Sequence, residues 1–477
     1  MSQPIPQPKG LPLVGNILDV KPSNTWQSLQ RLSEKHGEIF QIKVLGKTIV
    51  FVAGAALAEE LCDEKRFRKY VGGPIVEIRR AVHDALFTAF DHEENWGIKH
   101  RIVAPRLTPD AVREWCGEVV GCTGELIAKW KGLGESSGGV DLMDELNRLN
   151  LEATTLTMFG KKLNCITAAE SHSMLQGMED STSEAMMRPT RPGFLNWLFY
   201  GSKFKKSIKA MREDYAEDLV FHRKQNPTGR RDILWALMEG QDDQTSKSLT
   251  EEQVIDEIVS MPIGSSTAPC LIGSEIYLLL QNKECITKAR AELDKVVGPW
   301  SAAAGETTQI RAEHLPQLKY IEGIVRESLR LSFAAPGFNI EPVPRPKGPS
   351  GDADKSPVLL AGGKYQIAHD QAMILVLAGV NRDPAVFDDP LAFRPERMMG
   401  QSFEDLPPGV KKWFGNGKRE CIGKHWAWQF NMVVTAMLIR ECDFEMVDPH
   451  FKLDGHQDGW FNYRPVGFKV RVKPRAS

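Results

Sequence analysis

Apolar and polar residues alternate early in the chain, in EIFQIKVLGKTIVFVA (38–53), a two-residue period that predicts strand. Gly46-Lys47 in its middle suits a hairpin turn. Further on the period lengthens. ALAEELCDEKRF, DAVREWCGEVVGCTGELIAKWKG and SKFKKSIKAMREDYAEDLVFHRKQ repeat apolar residues three and four apart, which predicts amphipathic helices. Strand patterning returns in GFKVRVKP near the C-terminus. QNPTGRR (225–231), EGQDDQTSKS (239–248), GPWSAAAGETTQ (298–309) and PRPKGPSGDADKSP (344–357) are rich in turn formers and predict surface loops. There is no internal repeat, no low-complexity segment and no long Ser/Gly/Pro linker. The pattern predicts a mainly α chain with minor β near both ends, forming a single domain over residues 1–477.

One run stands apart. TEEQVIDEIVSMPIGSSTAPCLIGSEIYLLL starts at Thr250, with Gln253 three residues on, a capping-box signature. It predicts a helix reaching about Leu280, long enough to cross a whole domain. Its centre holds Pro262, Gly264, Ser265, Ser266 and Thr267, although helix interiors disfavour Pro strongly and Gly moderately. Pro262 lacks an N–H, which predicts a kink around it.

The chain has 477 residues, 42% of them hydrophobic, enough for a sizeable core and too many for a disordered protein. A net charge of -2 gives no electrostatic argument for nucleic acid. Eight scattered cysteines without a CxxC, CxxCH or HExxH pattern fit a reduced, intracellular protein. They argue against a disulfide framework, a zinc ribbon and covalently attached haem. The N-terminal MSQPIPQPKGLPLVGNILDV holds four prolines and no apolar stretch of the ~20 residues that a membrane span needs. A soluble, cytoplasmic protein with no integral membrane anchor is expected.

The candidate chemistry lies in WFGNGKRECIGKHWAW (413–428). Glycines let backbone approach a flat cofactor closely. Cys421 precedes a helix start, where unpaired N–H groups stabilise a thiolate. Arg419 suits a carboxylate-bearing ligand. Cys421 with His425 as a zinc pair fails for want of a second ligand pair nearby. A buried cysteine in a Gly-rich turn is the plain alternative.

FGNGKRECIG resembles the haem-binding loop of the cytochrome P-450 superfamily at every fixed position: Phe414, Gly417, Arg419, Cys421 and Gly423. The resemblance implies haem b with the Cys421 thiolate as axial ligand to its iron, and Phe414 packed beside it. Three further motifs agree, in order. NWGIKHR gives Trp96 and His100, which the resemblance assigns, with Arg419, to the haem propionates. IVRESLRL gives Glu327 and Arg330, and FRPERM gives Arg397, a structural Glu-Arg-Arg cluster in the family.

The likeness runs from LPLVGN to GFKVRVKP. It is nearest to the haem domain of soluble fatty-acid hydroxylases fused to a diflavin reductase, through GEIFQIKVLGK, LCDEKRFRK and ALFTAFDHEENW. In that subfamily Phe87 lies over the haem. Lys47 and Phe51 fall where a basic residue and a tyrosine anchor the fatty-acid carboxylate, and Phe51 lacks the hydroxyl. Ile263, Ala335, Pro336, Phe338 and Phe461 complete the implied substrate pocket. In the central helix Gly264 is to make room for O2 and Thr267 to organise protons, while Ser266 replaces the usual acid. A serine relays a proton where a carboxylic acid hands one on. Its hydroxyl back-bonding to a carbonyl is the bland alternative.

The resemblance implies a monooxygenase inserting one oxygen atom from O2 into an apolar, lipid-like substrate. Electrons would come from NADPH through the flavins of a reductase that this chain does not contain. Lys411, Lys412, Lys418, Arg419 and Lys424 are the expected docking cluster. Two alternatives stand: peroxide-driven or non-hydroxylating chemistry, motivated by Ser266, and a haem sensor or carrier without catalysis.

Overall fold

The computed structural model describes residues 2–44, 46–133, 138–300, 309–345, 354–453 and 462–475. Helices dominate, and the small sheets use sequence from both ends. The predicted hairpin forms from Ile39–Val44 and Lys47–Val52, paired antiparallel from Ile39↔Val52 to Val44↔Lys47. Lys47 is therefore already strand, and Gly46, at φ +83°, belongs to the turn. Met373–Val376, Gly337–Pro342 and Phe67–Lys69 extend the hairpin to five strands. The C-terminal pattern becomes Lys469–Pro474, paired antiparallel with Cys442–Met446. The loops expected over 298–309 and 344–357 lie partly outside the described residues.

The apolar run folds as the core helix that the sequence predicts. The Thr250 N–H donates to Gln253 Oε1 (2.9 Å) and the Gln253 N–H donates to Thr250 Oγ1 (3.3 Å), closing the capping box. The helix runs Glu251–Ser265, breaks at Ser266 (ψ -9°), and resumes as Thr267–Gln281. The break is not at Pro262, which the first segment accommodates in its interior. Pro269 bears on it. A proline ring meets the carbonyl four residues earlier and offers it no N–H. For Pro269 that carbonyl belongs to Ser265, the last residue of the first segment.

By length and composition Glu251–Gln281 is the one run among the described residues apolar enough to cross a membrane, but 72% of its most apolar window is buried inside the protein. It packs against the helices Leu142–Phe159, Lys319–Ser332 and Lys424–Glu441. Together these elements hold the largest apolar cluster of the core.

A buried ion pair joins the helical core to the chain that leads to the site. Glu327 and Arg330, one turn apart on Lys319–Ser332, are both 0% exposed. Arg330 Nε and Nη2 donate to Glu327 at 2.7 and 2.8 Å. Its remaining donors reach the carbonyls of Asn381 (3.1 Å), Pro390 (2.6 Å) and Ala392 (3.0 Å). Glu327 Oε1 also accepts the Arg394 N–H at 3.0 Å and lies 3.5 Å from Arg397 Nε. The expected Glu-Arg-Arg cluster thus assembles, with Arg397 as its looser, partly exposed member. Breaking a buried pair leaves an uncompensated charge, so Glu327→Ala should destabilise the fold by about 3–5 kcal/mol in chemical denaturation. Arg397→Ala should lower it by only about 1 kcal/mol, as partly exposed pairs do. Equal losses would remove Arg330 from the centre of the cluster.

Candidate functional site

The loop ahead of the Lys424–Glu441 helix folds back on itself: the Cys421 N–H donates to the Phe414 carbonyl at 2.8 Å. Gly415 and Gly417 turn it at φ +81° and +63°. A Cβ on Gly417 would fall 2.1 Å from the Glu64 carboxyl, whose Oε1 accepts the Lys418 N–H at 2.8 Å. Gly417 is therefore demanded by this turn and by Glu64; it does not line the cavity described next.

Cys421 opens into a cavity of about 1640 Å³. A site for a single small ligand typically holds about 300–1,000 Å³, so there is room for a large cofactor and a substrate together. Phe414, Arg419 and Gly423 line it beside Cys421. Ile263, Gly264 and Thr267 of the central helix line it too. A Cβ on Gly264 would meet nothing within 4 Å, so this glycine leaves open space. Phe87, Ala335, Pro336 and Phe338 join the lining, as do Lys47 and Phe51. Lys47 is exposed at its strand's start; Phe51 is buried and stacked on Phe40, centroids 5.0 Å apart. Phe461 lies outside the described residues.

Ser266 is the member of the expected set that turns away. It does not line the cavity. Its Oγ donates to the Ile263 carbonyl (2.7 Å) and accepts from Asn462 Nδ2 (2.8 Å). This is back-bonding with the hydroxyl fully engaged. Thr267 Oγ1 makes only a long bond, 3.3 Å, to the Gly264 carbonyl, and it faces the cavity. Ser265, which also lines the cavity, is held by Asn150 and Thr154 at 3.0 Å each.

One wall is cationic. Trp96 and His100 lie one helical turn apart with their rings tilted by 31°, centroids 5.0 Å, and the Arg419 guanidinium lies 5.0 Å over Trp96. Arg419 donates to the carbonyls of Ala89 (2.9 Å) and Leu86 (3.4 Å) and has no carboxylate partner among the described residues. Lys69 joins it, donating to the Phe87 carbonyl at 2.6 Å. Burial, and then the Arg419 charge, push the Lys69 amine down to about 7. Burial, with Arg101 and Arg419, likewise holds the His100 imidazole below its ordinary value. Two half-buried cations with no carboxylate in direct contact among the described residues, beside an exposed thiol in an oversized cavity, fit a flat, carboxylate-bearing metal cofactor.

Burial also pushes the Cys421 thiol up, and the Gly423 N–H and Lys424 only partly oppose it. The helix start alone therefore does not generate the thiolate. A metal bound at Cys421 would displace the proton.

The sequence reading missed two residues here. Lys69 ends the strand Phe67–Lys69 in a run of charges that resembles surface. Glu257 lies on the central helix, fully buried, at the cavity wall. Its Oε1 accepts the Leu86 N–H (2.9 Å) and lies 3.5 Å from Lys99 Nζ; its Oε2 has no partner among the described residues. The docking cluster is also less uniform than expected. Lys418 pairs with Asp91 (3.1 Å) and Lys424 with Glu420 (2.5 Å), while Lys411 and Lys412 donate to Glu404 O and Asn416 Oδ1. Arg419 faces the cavity.

Residues 5–460 match the cytochrome P450 family. The chain is 35% identical to the bifunctional cytochrome P450/NADPH–P450 reductase ascE of Acremonium egyptiacum, covering 100% of this chain and 44% of that protein. It is 31% identical to the self-sufficient cytochrome P450 monooxygenase CYP505E3 of Phanerodontia chrysosporium, over 100% and 43%. Identity to CYP505E5 of Aspergillus niger is 35%, over 98% and 43%. The chain spans less than half the length of these relatives.

Glu257 yields a stability prediction. Burial raises its carboxyl to about 7, against the pull of Lys99 and the Leu86 N–H. The folded state then holds a proton that the unfolded chain releases near the ordinary Glu value. The associated stability is complete below that value and is lost as pH rises through about 7. From about pH 5 to about pH 8 the wild type should lose on the order of 1–3 kcal/mol relative to Glu257→Gln. Parallel denaturation profiles for the two proteins would refute this.

Proposed function

The chain belongs to the cytochrome P450 family, and from this we propose that it is a haem-thiolate monooxygenase, inserting one atom of O2 into a C–H or C=C bond of an apolar, lipid-like substrate. The observation that carries the reading is one cavity lined both by Cys421 and by Gly264 and Thr267. On this reading residues 1–477 are one haem domain. Electrons come from NADPH through the flavins of an NADPH–P450 reductase, the activity named in the relatives.

Cys421 would ligate the haem iron. Arg419, His100, Trp96 and Lys69 would hold the propionates. When bound, haem supplies the redox chemistry, with a thiolate ligand whose electron donation favours O–O cleavage. The remaining work falls to side chains. Gly264 keeps space open at the central helix. Thr267, whose hydroxyl is loosely held, orders water and passes protons into the cavity. Phe87, Ile263, Ala335, Pro336 and Phe338 surround the substrate and exclude water. Lys47 is placed at the cavity to meet a fatty-acid carboxylate, without a hydroxyl from Phe51.

The engaged hydroxyl of Ser266 favours a second reading, turnover driven by peroxide, which arrives with the protons that the missing acid would deliver. Reconstitution with haem separates the two. The reduced protein with carbon monoxide should give the difference band of a thiolate-ligated haem, and Cys421→Ala should lose it. Product should form with NADPH, reductase and O2; product with peroxide alone, and none with reductase, selects the second reading. Thr267→Ala should lower kcat by roughly 10–100-fold, while Ser266→Ala stays within about threefold. Equal losses would return Ser266 to the proton path.

A further inference from the structure

Three ionisable side chains that the proposed reaction leaves unused stand in a row between solvent and the cavity wall. Asp84 is the outer one, its side chain 18% exposed. Lys99, on the helix Asn95–Val103, is 0% exposed and donates to Asp84 Oδ1 at 2.7 Å and to the Asp84 carbonyl at 2.8 Å. Glu257, also 0% exposed, lies 3.5 Å from Lys99 Nζ and lines the cavity. Burying such groups is costly, and apolar side chains of the same volume would hold these elements together at least as well. Their order, acid then amine then acid, is what a proton needs to cross the wall.

The neighbouring charges are engaged elsewhere. Asp256, beside Glu257 on the same helix, is held by His83 at 3.0 Å and by Arg212. Glu257 pairs with no group on Leu142–Phe159 or Ile233–Glu239, which also pack on this segment, among the described residues. The cationic wall of His100, Arg419 and Lys69 lines the same cavity.

From Glu257 the central helix carries the row onward. Ser260, Gly264 and Thr267 follow three, seven and ten residues on, the spacing of one helical face, and all three line the cavity. Gly264 leaves open space between the two hydroxyls. Glu257 and Thr267 are about 15 Å apart along the helix, so water must bridge them. The need for protons is stoichiometric. When one atom of O2 enters the substrate, the other leaves as water and takes up two protons, and Ser266 brings no acid to supply them.

We propose that Asp84, Lys99 and Glu257 form a proton line from solvent to the cavity, with Glu257 the acid that supplies Thr267 through water along this face. The role of Glu257 rests on the monooxygenase reading; the line itself does not. Glu257 releases its proton toward Ser260 and is left as a carboxylate beside the Lys99 ammonium. Lys99 returns a proton to it and recovers one from solvent through Asp84, so the line ends as it began. Burial, against the pull of Lys99, holds the Glu257 carboxyl at about 7, so its acid form persists near neutrality.

Infrared difference spectroscopy on the haem-loaded full chain tests the line without turnover. A protonated-carboxyl band should fade as pH rises through about 7 and be missing from Glu257→Gln. Lys99→Met should move its midpoint up and slow its response to a pH jump at least about tenfold. A missing band, or equal rates in wild type and Lys99→Met, overturns the line. With reductase, NADPH and O2, the wild-type rate should fall as pH rises through about 7. Glu257→Gln should cut kcat at least about tenfold, flatten that profile and raise the peroxide released per NADPH. Added to Thr267→Ala it should cost less than about threefold, because the two act in series. An unchanged haem spectrum establishes that the variants are folded. Wild-type kcat and pH profile in Glu257→Gln, or losses that multiply in the double variant, overturn the role of Glu257. A wild type whose band responds as described but which makes no product with reductase overturns the monooxygenase reading, and that role with it, but not the line.

Discussion

Arg330 has five N–H donors, and all five end on acceptors inside the protein. Two lie on Glu327, one turn back on the same helix, and three on carbonyls of the stretch 381–392. A guanidinium can be taken wholly out of water only on such terms. The consequence is positional. The helix that carries the pair leads directly into Ala335, Pro336 and Phe338, which line the cavity. The stretch it pins continues to the Cys421 loop. Walls of one cavity from two distant parts of the chain are thus referred to a single buried charge pair.

The cavity those walls enclose is polarised. Cys421, Arg419 and Lys69 gather where few carboxylates answer them, and apolar side chains line the remainder. Burial raises the thiol and lowers the amine, so both groups drift toward their neutral forms in the protein alone. An anionic, metal-bearing cofactor would reverse both drifts together. A neutral planar molecule of the same size would leave the cations unanswered.

What the sequence disclosed follows from distance along the chain. The Cys421 loop was legible because its determinants lie within ten residues and its glycines answer to local backbone angles, although Gly417 answers to Glu64 as well. The capping box, the hairpin and the apolar run were legible for the same reason. For Ser266 the local back-bond to Ile263 was among the alternatives, while the bond from Asn462 was not legible, because that partner lies 196 residues away. Lys69 and Glu257 were missed because charged residues are presumed solvated, and only tertiary packing buries them. The helix interruption differs again: the kink expected around Pro262 from its missing N–H is displaced to Ser266, four residues on and three before Pro269.

That break has a backbone contribution that no ligand removes. Pro269 brings no N–H to the Ser265 carbonyl, whatever occupies the cavity. Pro262, inside the first segment, shows that a helix can nonetheless run through a proline. What Pro269 withholds is a single bond, in the turn where Gly264 leaves space and Thr267 faces the cavity. The cavity wall is therefore least supported, in side chain and in backbone bonding, at one and the same turn.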